Sequence, residues 1–115
     1  MKLTLTDKLI ARTTPENAAV LFGVKCYTDT AEPWVLVTPT TLRYRVDNPE
    51  FDTEILAWTT VTPASSATIT VTGAQNAITS GASRERRRLT VQADADLSTA
   101  CVAEREYYVT NGYPL

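Results

Sequence analysis

The chain has 115 residues, 43% of them hydrophobic, and a formal net charge of -2. This length suits one domain that buries its own core, and the charge is too small to favour a nucleic-acid or membrane partner. No apolar run approaches the roughly 20 residues of a membrane-spanning helix, and the N-terminus lacks the apolar core of a secretory signal. We expect one domain over residues 1–115 that folds in the cytoplasm, provided that the sequence is the full translation product.

Short segments of alternating hydrophobicity follow one another along the chain. Such alternation predicts strands with one buried and one wet face. The predicted strands lie around residues 3–5, 18–27, 42–46, 55–61, 67–71, 87–93 and 103–110, with a further short strand or hydrophobic flap at 34–37. The twenty threonines also favour pleated, half-buried surfaces over helices. The prediction is an all-β, antiparallel β-sandwich of about seven strands, immunoglobulin-like or fibronectin-III-like.

The same alternation predicts which side chains form the core. In the strand at 42–46, Leu42, Tyr44 and Val46 point inward, and the arginines between them point outward. Trp58 and Tyr44 are placed in the core rather than on a binding surface.

The side chains that perform most enzyme chemistry are scarce. The chain has no histidine, which excludes a Ser-His-Asp triad and a Cys-His dyad. Its two isolated cysteines cannot form a four-thiolate zinc site. The four glycines form no phosphate loop. A glycosidase that works with a pair of acids is one hydrolase that would need no histidine. We predict no enzyme, no cofactor and no metal, and we expect solvation rather than calcium binding for the acids Asp47, Glu50, Asp52 and Glu54.

Cys26 and Cys101 are the only cysteines, and both lie in apolar segments. Immunoglobulin-type domains bridge their two sheets with a pair of this kind. Because nothing indicates export, we expect two reduced, buried thiols rather than a disulfide.

The most strongly charged segment reads Arg84-Glu85-Arg86-Arg87-Arg88 and lies where a loop enters a strand. Arginine pairs with carboxylates through a planar fork and tolerates partial burial. Three interpretations compete, in decreasing order of preference: a solvated strand start, a contact with an acidic protein, and phosphate binding. Glu85, with Glu104 and Glu106 on the neighbouring strand, is expected to neutralise part of this charge.

Two apolar segments lie outside the predicted core. Trp34 follows Pro33 in a turn-like stretch, and exposed aromatic side chains commonly anchor protein interfaces. The C-terminal residues carry no charged side chain, so we expect them to pack on their own domain or on a neighbouring subunit. The residues predicted to contact a partner are Trp34, Val35, Leu36, Arg84, Arg86, Arg87, Arg88, Tyr113, Pro114 and Leu115.

Four segments together resemble small immunoglobulin- or fibronectin-III-like proteins encoded by tailed bacteriophages. They are residues 42–47, 56–64, 67–71 followed by 75–78, and 85–93, and the second contains a W-T-x-V-x-P-A turn. The resemblance covers roughly residues 40 to 112. Such proteins are usually virion components, so the resemblance implies assembly in the host cytoplasm and non-covalent binding to a capsid, neck or tail surface.

The resemblance makes a capsid decoration (cement) protein the leading hypothesis, with the major capsid protein as partner. The alternative is a head–tail connector or a tail or baseplate accessory protein, bound to other virion subunits. A third hypothesis is a carbohydrate-binding or host-adhesion module that stacks sugars on Trp34 and Tyr27. Exposed edge strands also make a homo-oligomer an expectation.

Overall fold

The described part of the chain forms eight β-strands and one 3-10 turn. The computed structural model describes residues 1–28, 35–79, 81–95, 97 and 100–111. The elements in chain order are β1 (Lys2–Thr6), β2 (Thr13–Pro15), β3 (Val20–Tyr27), β4 (Leu42–Asn48), β5 (Thr53–Val61), β6 (Ser66–Val71), the 3-10 turn (Ala74–Asn76), β7 (Arg84–Ala93) and β8 (Cys101–Thr110).

The strands form two sheets packed face to face, which confirms the predicted β-sandwich. One sheet has the order β1-β3-β6, and the other has the order β2-β8-β7-β4-β5. β1 of the first sheet packs beside β8 of the second.

β2 is the strand that the sequence does not predict. It has three residues, ends at Pro15 and pairs in parallel with β8, so the five-stranded sheet is mixed rather than fully antiparallel. Three residues are too few to show an alternating pattern, which explains why β2 was missed.

Alternating side chains from both sheets fill the core. Its buried members are Leu5, Val20, Phe22, Val24, Leu42, Val46, Ile69, Val71, Leu89, Val91, Ala93, Tyr107 and Val109. The predicted inward faces are confirmed, and Tyr44 packs against the core as a partly buried residue. Phe22 on one sheet and Tyr107 on the other have ring centroids 5.7 Å apart, and this contact joins the two layers.

Trp58 is not in the core, contrary to the prediction. Its side chain is 38% exposed and lies on the outer face of the five-stranded sheet. The pairing of β5 with β4 contains two irregularities, one between Tyr44 and Val46 and one between Val46 and Asp47. Each inserts an extra residue into β5 and shifts the alternation of side chains. As a result Leu56 packs on the core while Trp58 faces outward.

The two cysteines lie on different sheets, Cys26 in β3 and Cys101 at the start of β8, and both carry thiols. Cys26 is fully buried, whereas Cys101 is partly exposed. Burial, with smaller contributions from Cys101 and Asp94, raises the pKa of the Cys26 thiol to about 11. A raised pKa keeps this thiol protonated at neutral pH, and only the thiolate is reactive.

We expect Cys26 to react slowly with a thiol-disulfide exchange reagent such as DTNB. At pH 8 a thiol of pKa about 11 is about one part in a thousand thiolate, against about one in four for an ordinary cysteine of pKa about 8.5. The rate in the Cys101→Ser variant should be far below that of the same chain in denaturant and should rise as the pH approaches 11. Equal rates in the native and denatured chains would contradict this.

Candidate functional site

The arginine cluster at residues 84–88 lies within a strand rather than in a loop. β7 begins at Arg84, earlier than the predicted start near Arg87, so neighbouring side chains point to opposite faces. Arg86 and Arg88 face outward, while Glu85 and Arg87 point into the sandwich. The predicted charged surface is therefore divided between two faces of the sheet.

Arg87 is fully buried and cannot contact a partner, so its place among the predicted contact residues is wrong. Its Nη2 atom lies 2.9 Å from Glu85 Oε1 and donates a second hydrogen bond of 2.9 Å to the Ala77 carbonyl. Both side chains of this ion pair are removed from water, at 0% and 2% exposure. A buried charge needs such partners, because its desolvation is costly.

A second buried hydrogen-bonded pair lies next to Arg87. The hydroxyl of Tyr107 donates to Asn76 Oδ1 at 2.8 Å, and Asn76 Nδ2 donates to the Ala18 carbonyl at 2.8 Å. Burial raises the pKa of Tyr107, although Arg87 acts in the opposite direction. Together with the Arg87–Glu85 pair, these bonds hold the segment after β6 against the core, which is a structural role.

On the outer face, two arginines of the cluster pair with acids. Arg86 Nη2 lies 2.7 Å from Glu106 Oε2, and Arg88 Nη2 lies 2.7 Å from Asp47 Oδ2. These bonds raise the pKa of both guanidinium groups. The expected neutralisation by Glu106 is confirmed. Asp47, by contrast, was expected to be solvated, and the structure shows it buried beneath Arg88.

Beside these pairs lies a surface that we call the Trp58 patch, formed by Arg43, Arg45, Trp58, Gln92 and Val102. The guanidinium carbons of Arg43 and Arg45 lie 4.3 Å and 5.8 Å from the centroid of the Trp58 ring. Gln92 Oε1 accepts hydrogen bonds from Arg43 Nε at 2.9 Å and from Nη2 at 2.6 Å. Val102 stands opposite Gln92 on β8 and is 54% exposed.

The positive charge of the Trp58 patch is poorly compensated. Arg43 forms no ion pair with any carboxylate among the described residues, since its partner Gln92 is neutral. Arg45 Nη2 lies 3.8 Å from Asp47 Oδ2, the same oxygen that Arg88 approaches to 2.7 Å. One carboxylate is thus shared by two cations. Arg43 and Arg45 therefore place excess positive charge beside Trp58.

This arrangement suits a protein surface with carboxylates. Tryptophan and arginine are the residues that most often dominate binding energy at protein interfaces, and arginine binds carboxylates in a planar fork. Arg43 covers one face of the Trp58 ring, with its guanidinium carbon 4.3 Å from the ring centroid, so that face is closed to a sugar ring. The chemistry of the patch suits carboxylates and apolar side chains.

The other predicted contact residues do not join this patch. Val35 and Leu36 are 57% and 46% exposed and lie beside the three-stranded sheet, where Leu36 forms an isolated bridge with Tyr27. Arg84 is exposed on the five-stranded sheet, with its guanidinium carbon 4.4 Å from the centroid of the Tyr108 ring. The remaining predicted residues, Trp34, Tyr113, Pro114 and Leu115, lie outside the described residues.

Comparison with known proteins finds no relative of this chain. No family model, curated protein or solved structure matches the chain. Within the part of the chain that the structure describes, no group of three His, Cys, Asp or Glu side chains is placed to hold a metal ion. No helix in that same part has the length and apolar character required to cross a membrane.

Proposed function

We propose that this chain is a bacteriophage virion structural protein that decorates the capsid. It binds the major capsid protein through the Trp58 patch. The observation that carries the proposal is the half-exposed Trp58 ring flanked by Arg43 and Arg45. Among the described residues, the one carboxylate that pairs with either of them is that of Asp47, which is shared with Arg88. The complementary surface on the partner is an acidic one with separate apolar residues that contact Trp58 and Val102.

The position of the exposed groups also supports a role at a joint between subunits. The Trp58 patch lies on the outer face of the five-stranded sheet, and the exposed Val35 and Leu36 lie beside the three-stranded sheet. Two contact surfaces on different layers allow one domain to touch two capsid subunits at once. A domain that binds only the assembled lattice stabilises it by its differential affinity, and many such contacts act together.

The number of copies in the virion tests this proposal. We expect densitometry of purified particles to find the chain in hundreds of copies, as many as the repeated joints of a capsid. A count of about six or twelve, as ring symmetry at a neck or tail produces, would replace decoration by the connector or tail alternative. If purified virions contain no copy of the chain, the proposed virion role is wrong.

A further inference from the structure

No strand among the described residues pairs with the outer edge of β6 on the three-stranded sheet. Its six residues, Ser66–Val71, carry no charge, proline or glycine, and they pair with β3 without a bulge. Natural edge strands are usually protected from pairing with another chain by shortness, charge, proline or bulges. Both edges of the five-stranded sheet have such protection. The short β2, which ends at Pro15, covers β8 only at Tyr108–Thr110, but the uncovered part of β8 carries the charged residues Glu104, Arg105 and Glu106. At the other edge, β5 contains two irregularities. β6 has none of these devices.

The register with β3 determines which backbone groups of β6 face this edge. Cys26 N donates to the Ser65 carbonyl, so the hydrogen-bonded positions continue at every second residue along β6. The N–H and C=O groups of Ser66, Thr68 and Thr70 therefore point away from β3. These groups make no further backbone hydrogen bond among the described residues. This series of outward-pointing backbone groups ends at Thr72, whose N–H donates to Gln75 Oε1 at 2.9 Å.

We propose that two copies of the chain join through this edge, with their β6 strands antiparallel and Thr68 on the two-fold axis. Thr68 then stands opposite Thr68 of the second copy, and Ser66 stands opposite Thr70 of that copy. This register pairs the N–H and C=O groups of all three residues with those of the second copy. The result is one continuous sheet with the strand order β1-β3-β6-β6-β3-β1.

The side chains fit this self-pairing on both faces of the sheet. On the outer face, threonine lies opposite threonine and serine lies opposite threonine, which are favourable cross-strand pairs. On the inner face, the small Ala67 lies opposite the large Ile69 of the second copy. The absence of charge from β6 means that no like charges meet across the axis. The edge thus complements itself, which favours a second copy as its occupant.

The dimer is tested separately from the Trp58 patch, which lies on the outer face of the other sheet. Size-exclusion chromatography with light scattering, at chain concentrations from micromolar to near-millimolar, tests the dimer directly. The mass of the wild-type chain should rise with concentration towards twice the 12.6 kDa of one chain. A wild-type mass of one chain throughout would overturn the proposal.

Two exposed threonines on the two edge strands provide matched variants. Thr68→Lys places two like charges opposite each other at the axis and should keep the chain monomeric. Thr60→Lys makes the same change on β5 and should leave the dimer intact. If Thr60→Lys dissociates the dimer and Thr68→Lys does not, the chains pair through the β5 edge, and pairing through β6 is refuted.

Mixing charge variants distinguishes pairing at Thr68 from general damage to the fold. Thr68→Lys and Thr68→Glu should each be monomeric alone, with the circular dichroism spectrum of the wild type. An equimolar mixture should recover the dimer, because lysine then faces glutamate across the axis. A mixture that stays monomeric, although both variants are folded, would contradict the proposed register.

Discussion

Replacing Arg87 with methionine is expected to destabilise the fold by about 3–5 kcal/mol, the usual effect of removing one partner from a buried ion pair. Methionine keeps most of the volume but leaves the buried Glu85 carboxylate without its cation. It also removes the hydrogen bond that Arg87 donates to the Ala77 carbonyl. Small domains have a free energy of unfolding of only about 5–15 kcal/mol, so the loss is a large part of the total. Urea unfolding followed by circular dichroism measures it.

Arg86→Met is the matched control for this prediction. Arg86 is adjacent in sequence but faces outward, and its ion pair with Glu106 has side chains that are 34% and 40% exposed. Ion pairs in contact with water contribute little to stability, so this variant should unfold at nearly the same urea concentration as the wild type. Equal losses from the two substitutions would refute the division of the cluster between two faces.

The double variant Glu85→Gln with Arg87→Met tests whether charge is the cause. Removing both charges leaves neutral groups in the same space, so part of the lost stability should return. The hydrogen bond from the Thr79 N–H to Glu85 Oε1, 3.3 Å long, can be kept by the glutamine oxygen. A double variant with the summed loss of the two single variants would indicate that the residues do not act as a pair.

The sandwich itself could be predicted because most strands have regular alternation. Leu42, Val46, Ile69 and Val91 are buried as the pattern requires, and each lies in a strand that pairs regularly on at least one side. The opposite faces of Arg86 and Arg87 also follow from alternation, once the strand is known to begin at Arg84. What the sequence did not reveal was where β7 begins.

The Trp58 patch could not be predicted because it depends on pairing between strands. The extra residues in β5 become visible only in its register with β4, and they turn Trp58 away from the core. Gln92 reaches Arg43 from a position 49 residues away along the chain. Contacts of this kind depend on the topology of the sheet, which alternation within one strand does not determine.

Trp58→Ala is expected to weaken binding of the chain to capsids by about 30-fold or more, the effect of losing an interface residue worth about 2 kcal/mol. The indole supports the guanidinium groups of Arg43 and Arg45, and its exposed part provides apolar contact area. Alanine would remove both. Sedimentation of the chain with particles that lack it, over a range of chain concentrations, measures the affinity.

Phe51→Ala is the control for this loss, since Phe51 is 63% exposed in the turn between β4 and β5 and belongs to no part of the patch. It should bind as the wild type does.

If the partner is acidic, wild-type binding should also weaken as salt is added, because charge pairs at the edge of an interface are screened. The variant Arg43→Gln should show a smaller salt dependence than the wild type. Unchanged binding by Trp58→Ala, or an equal loss in Phe51→Ala, would remove the Trp58 patch as the contact surface. The copy number of the chain in particles would be unaffected by that result, so the position of the contact and the decorating role are tested separately.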